Sequence, residues 1–154
     1  MSARTLLIVV VGLAAVIEDL SRRRISNWTS GGALAAGLIL HFAQKGWLGL
    51  WHSLLGAGLG FGVFLIFYLL GGMGGGDVKL MAGFGALLGD GKIVPAALLA
   101  AITGGLMAMG FLAIRAIARR WRPQTGPAGG PSHESIPYAP AITAGVWLAL
   151  ISEV

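Results

Sequence analysis

No cysteine occurs among the 154 residues. Disulfides, thiolate metal sites and cysteine nucleophiles are therefore excluded. Charge is scarce as well. Asp, Glu, Lys and Arg make up 11% of the chain, against about 25% in soluble domains. Histidine occurs three times, as His41, His52 and His133, at spacings that match no familiar metal-site pattern. Neither a metal nor a cofactor is expected. The balance is basic, +5 at pH 7, but the bases gather at the ends of apolar runs and not along one polar face. That distribution argues against nucleic-acid binding and reads as membrane orientation.

What is abundant is apolar. The chain is 56% hydrophobic, contains 26 glycines and has a mean hydropathy of +0.81. This composition predicts an all-α, polytopic membrane protein whose helices approach closely at glycine. It reads as a single domain, 1–154, with about six spans at 5–19, 28–42, 48–70, 78–88, 93–117 and 138–151. The first run leads straight into Glu18-Asp19 and Arg22-Arg23-Arg24 with no convincing small-residue cleavage site before the charges, so it reads as a retained helix, not a signal peptide. Ser26-Asn27 offers a cap for the second span. Gln44 to Trp47 and Gly89 to Lys92 read as turns, and Arg119 to Glu134, with Pro123, Pro127 and Pro131, reads as a polar loop.

Six spans place alternate loops on opposite sides. One side then carries Arg22, Arg23, Arg24, Lys79, Arg115, Arg119, Arg120 and Arg122, and the other only Arg4, Lys45 and Lys92. The richer side is the cytoplasmic one by the positive-inside rule. Both termini are then expected outside, and Asp19 and Asp77 fall together on the cytoplasmic face.

Asp77 closes a stretch, Gly71-Gly72-Met73-Gly74-Gly75-Gly76-Asp77, in which five of the first six residues are glycine. Glycine is a poor helix former with wide backbone freedom, so a span ends here and the chain turns. A carboxylate beside hydrocarbon is costly and is read as functional by default. Two such carboxylates on one face can share a proton, because like charges at close range do not both ionise easily. The ionised acid can draw a proton from water while the protonated one polarises a peptide carbonyl. The same acids also suit a proton or ion pathway, or an assembly scaffold in which they pair with the arginine loop. Glu18 competes with Asp19, but adjacent helical residues point about 100° apart, so one of the two faces Asp77.

Three segments carry a resemblance. Gly72-Met73-Gly74-Gly75-Gly76-Asp77-Val78-Lys79-Leu80 resembles the GMGxGDxKL signature of the type IV prepilin peptidases. Asp19-Leu20-Ser21-Arg22-Arg23-Arg24-Ile25-Ser26-Asn27 resembles that family's DLRxRRIPN motif, with Ser21 in place of Arg and Ser26 in place of Pro. Ile136-Pro137-Tyr138-Ala139-Pro140-Ala141-Ile142 resembles its late PYAPAI-type segment. The resemblance implies an inner-membrane aspartic endopeptidase that cuts the basic leader from prepilins at the cytoplasmic face. It implies Asp19 and Asp77 as the catalytic pair and Glu18 as the non-catalytic neighbour. It also implies that Gly74 and Gly76 shape the bend at Asp77, and that Lys79 lies near substrate or lipid headgroups. Pro137, Tyr138 and Pro140 would line the cavity, since proline disfavours helix in the residue before it. Larger members carry a cysteine-containing zinc domain linked to N-methylation. This cysteine-free sequence resembles the short, peptidase-only members that accompany tight-adherence (Flp) pili, and no methyltransferase activity is expected. An archaellin-type leader peptidase and a non-enzymatic membrane protein stay open as alternatives. The expected partners are a Flp-type prepilin and the bilayer, with the oligomeric state undetermined.

Overall fold

The structure is a computed structural model that describes residues 2–121 and 138–151. Five helices account for the regular structure among them: α1 (Ala3–Arg22), α2 (Asn27–Leu69), α3 (Gly75–Leu88), α4 (Asp90–Trp121) and α5 (Ala139–Ile151). The expected all-α class is what the structure has. Asn27–Leu69 and Asp90–Ile114 are long and apolar enough to cross a membrane, and Ala139–Ile151 is a shorter apolar helix.

Each helix boundary has a local cause. Ser2 caps α1, its Oγ accepting from the Thr5 N–H at 3.2 Å. α1 runs three residues past the expected 19, to Arg22, and Arg23 ends it in the left-handed region (φ 51) with its N–H on the Asp19 carbonyl. Ser26 caps α2 by accepting from the Trp28 N–H. The two expected spans 28–42 and 48–70 fall on α2, the second reaching one residue past its end to the cap Leu70, and the backbone leaves helical geometry between them at Lys45 and Gly46, the latter at φ 57. The chain folds back there. Gly37 before the break packs on the Ala86 backbone, and Gly56 beyond it packs on Gly85.

At its far end α2 closes in a Schellman arrangement. Gly71 takes φ 75, the Gly71 N–H bonds the Tyr68 carbonyl and the Gly72 N–H bonds the Phe67 carbonyl. The expected turn at Gly89 to Lys92 shrinks to Gly89 alone (φ 80). Asp90 already opens α4, where an acid in the first turn favours the helix dipole. Residues 119–121 of the expected polar loop belong to α4, and the rest of that loop lies outside the described residues.

α3 is the centre. Nearly its whole circumference is buried, with Leu80, Met81, Phe84 and Leu87 at 0% exposure. A helix apolar all round needs cover on every side, and the two arms of α2 supply much of it. Their approach is set by missing side chains. A Cβ at Gly85 or at Gly56 would collide with the backbone of the other, and one at Gly60 would meet the Met81 carbonyl at 2.6 Å. Ser53, fully buried, donates to the Ala86 carbonyl at 2.8 Å. α5 leans on α4 where Gly145 meets the Ala100 backbone, and on α1 where Gly12 meets Thr143. The outer faces are apolar: Leu6, Val10, Leu13 and Ile17 of α1 and Leu98, Ile102, Leu106 and Met109 of α4 are exposed. Water would penalise such a surface, and lipid would not.

The contacts at Gly85 are backbone on backbone and cannot yield by a rotamer change. Gly85→Ala should therefore cost about 1–3 kcal/mol of stability. Gly58→Ala, at a glycine with nothing within 4 Å, should be neutral or slightly stabilising. Thermal unfolding in detergent checks the pair, and equal midpoints would show that the close packing of α2 on α3 has been misread.

Candidate active site

Asp19 reaches the interior because of its register. On α1 the buried residues are Ile8, Gly12, Ala15 and Asp19, spaced by three and four so that they form one stripe. Asp19 stands at the last turn of that stripe and is 7% exposed. Its Oδ2 accepts from the Ala139 N–H at 2.9 Å, across 120 residues of sequence. Ala139 is the first residue of α5, and its N–H is one of the donors that a helix leaves unpaired at its start. Asp19 thus acts as the cap of a helix far along the chain, where the positive end of the dipole favours a carboxylate.

Asp77 has an equivalent position made locally. It is the third residue of α3, also 7% exposed, and its Oδ2 accepts from the Gly74 N–H at 3.1 Å while its own N–H bonds the Gly74 carbonyl. The two aspartates come from different helices, and Asp77 lies within electrostatic reach of Asp19. Each spends Oδ2 on a backbone donor, and no hydrogen bond to either Oδ1 is formed among the described residues. Tyr138, directly before Ala139, lies within electrostatic reach of Asp77.

Glu18 points elsewhere. Its Oε2 accepts from the Ser26 N–H and its Oε1 from the Thr29 hydroxyl, both at 2.7 Å. It ties the end of α1 to the start of α2. Lys79 Nζ donates to Asn27 Oδ1 at 3.0 Å, which joins the glycine-rich segment to the end of the Asp19 segment. Gly74 caps α3 with ordinary extended backbone (φ −82), so the residue of the bend that needs glycine for its backbone is Gly71. What Gly74 and Gly76 contribute is room. A Cβ at Gly74 would lie 3.4 Å from Asp77 Oδ2, and one at Gly76 would lie 3.4 Å from Ile25. Pro140 is the second residue of α5, a place where a missing N–H is harmless. Pro137 lies outside the described residues.

Sequence reading did not find the Ala139 N–H, the Asn27 partner of Lys79 or the tie made by Glu18. For Ala139 a signal existed: proline at the second helical position marks a helix start, and a helix start has orphan donors. Among the described residues, no group of three or more His, Asp or Glu side chains is arranged to hold a metal ion. His52 bonds Asp90 at 2.8 Å and His41 bonds Arg4 at 3.3 Å. Both pairs sit at the far end of α3, about 20 Å from the aspartates by helix rise.

No curated protein and no solved structure matches the chain. A family model does match, over residues 6–109, a stretch that contains both aspartates and more than half of the chain. Two buried carboxyls brought together from separate helices are thus embedded in a sequence that belongs to the type IV leader peptidase family.

Proposed function

We propose that the chain is an aspartic endopeptidase that removes the basic leader of Flp-type prepilins at the cytoplasmic face of the inner membrane, with Asp19 and Asp77 activating one water. The observation that carries this reading is the pair itself. Two aspartates lie at two helix N-termini, each holding a backbone N–H through Oδ2, with Asp77 within electrostatic reach of Asp19.

The reaction follows from sharing one proton. The ionised carboxylate takes a proton from water as the water oxygen attacks the scissile carbonyl carbon. The protonated carboxyl gives its hydrogen to the carbonyl oxygen, and a tetrahedral gem-diol results. The C–N bond then breaks, the leaving nitrogen takes a proton from the dyad, and the products are a leader carboxylate and a mature chain with a free amine. Two coupled acids titrate as a unit, so donor and acceptor roles belong to the pair. The donors from Ala139 and Gly74 hold both carboxyls in place without occupying Oδ1, leaving those oxygens for water and substrate. Tyr138 stands within electrostatic reach of Asp77.

The proposed membrane placement has physical support. The first arm of α2, 27–44, is about 27 Å long by helix rise, close to the roughly 30 Å of a hydrocarbon core. Trp28, 90% exposed, stands at one end and Trp47, 72% exposed, just past the other. Tryptophan favours both interfaces of a bilayer. Counting the arms of α2 separately gives six crossings, with the aspartates at the Trp28 end.

Leader cleavage in a membrane co-expression assay tests the mechanism. Asp19→Asn and Asp77→Asn should each lower cleavage at least about 100-fold, the scale of lost general acid–base catalysis, while the protein still accumulates in the membrane. Cleavage retained by Asp19→Asn would sink the pairing. Glu18→Ala separates the neighbours. Losing two charge-assisted hydrogen bonds should lower stability by about 2–4 kcal/mol, with leader cleavage persisting wherever the variant is folded. If Glu18→Ala is fully folded and inactive, the roles of Glu18 and Asp19 have been reversed.

A further inference from the structure

The end of the bundle opposite the aspartates has its own polar centre, which the proposed hydrolysis does not use. A half-open cavity of about 220 Å³ is lined there by Arg4 of α1, His41, Lys45 and His52 around the fold-back of α2, and Asp90 and Lys92 at the start of α4. Besides Lys92, two cationic side chains, Arg4 and Lys45, line this recess, and the one carboxylate among its described lining residues is engaged, with Asp90 Oδ1 2.8 Å from His52 Nδ1. Arg4 is held by a neutral partner. A guanidinium only donates, so His41 Nε2 accepts from Arg4 Nη1 at 3.3 Å and the imidazole carries its proton on Nδ1. His41 is buried, at 8% exposure, so the guanidinium is anchored by a fixed ring that leaves its charge uncompensated. No ion pair to Arg4 or Lys45 is formed among the described residues.

We propose that this cavity binds a phosphate group, presented by the headgroup of an anionic phospholipid. Excess positive charge in a recess attracts an anion, and the guanidinium fork is shaped for phosphate oxygens. Trp47 and Trp51, 72% and 61% exposed, flank the same end of the bundle and set its depth at the headgroup layer, where tryptophan concentrates. The anion found at that depth is a lipid phosphodiester. Bound there, it would bridge α1, the fold-back of α2 and the start of α4, which are held together at this end by Arg4–His41 and His52–Asp90.

The test uses the full chain in nanodiscs of phosphatidylcholine, with and without phosphatidylglycerol, read by thermal unfolding and by native mass spectrometry of retained lipid. Phosphatidylglycerol should raise the unfolding midpoint and remain bound. Arg4→Gln should weaken retention about tenfold, the scale of one charge-assisted hydrogen bond, and Lys45→Gln should weaken it severalfold. Circular dichroism checks that Arg4→Gln folds. If it does not, Lys45→Gln decides the matter, because that side chain is exposed. Inorganic phosphate added to phosphatidylcholine discs separates the sources. A midpoint raised by phosphate alone, with no preference for phosphatidylglycerol, would overturn the lipid as the source and keep the phosphate site. Equal responses of wild type and both variants, or no response to either anion, would overturn the site.

Discussion

A carboxylate packed among apolar helices needs hydrogen-bond donors, and in such a place free backbone donors exist only where a helix begins. Both aspartates obey that constraint, in different ways. Asp77 is folded back onto the N–H of Gly74 three residues before it. Asp19 stands near the end of its own helix, where carbonyls and not N–H groups are left over, and takes its donor from the start of α5. The second solution fixes tertiary structure. α5 must begin at Ala139 and must begin beside the last turn of α1, so the first and last helices of the bundle are locked at the level of the site.

The glycines make that lock geometrically possible. α3 is only fourteen residues long, and it carries Asp77 at one end while the Gly89 bend closes the other. A helix so short and so fully buried cannot be reached by neighbours that keep their side chains. Gly37, Gly56 and Gly60 on α2, with Gly83 and Gly85 on α3, let backbones meet directly. Gly12 lets α1 approach α5 at Thr143, seven residues before Asp19 on the same buried stripe. Association of apolar helices in lipid rests on such close packing and on a few interhelical hydrogen bonds. The Ser53–Ala86 and Thr103–Ala141 bonds, each 2.8 Å, are of that kind.

Local signals made much of this legible in sequence. The Ser26 cap and the break near Lys45–Gly46 follow from residue type and the limits of an apolar run. The choice of Asp19 over Glu18 was not readable from helical register, since Leu7, Val11 and Ala14 precede Glu18 at the same spacing as Ile8, Gly12 and Ala15 precede Asp19; it came from the resemblance of the motif, and the structure buries the Asp19 stripe. What was not legible depends on partners distant in the chain. Nothing near Asp19 announces Ala139, and nothing near Lys79 announces Asn27. Gly89 to Lys92 misled because its polar residues resemble a turn, whereas one glycine at φ 80 makes the break and the acid after it suits a helix start. Gly74 and Gly76 were expected to bend the backbone, but Gly71 has the backbone only glycine adopts readily.

Glu18 and Asp19 show how much one residue of helical register settles. The first binds the start of α2 through Ser26 and Thr29; the second binds the start of α5 through Ala139. Turned by about 100°, the last turn of α1 would offer α5 the longer acid and leave the α1–α2 junction with the shorter one. The four buried positions of α1 resist that rotation, because Gly12 would leave Thr143 and a larger side chain would take its place. Register is therefore set in the middle of the helix, by a contact between small groups, and its consequence appears two turns later as the choice of which carboxyl stands beside Asp77.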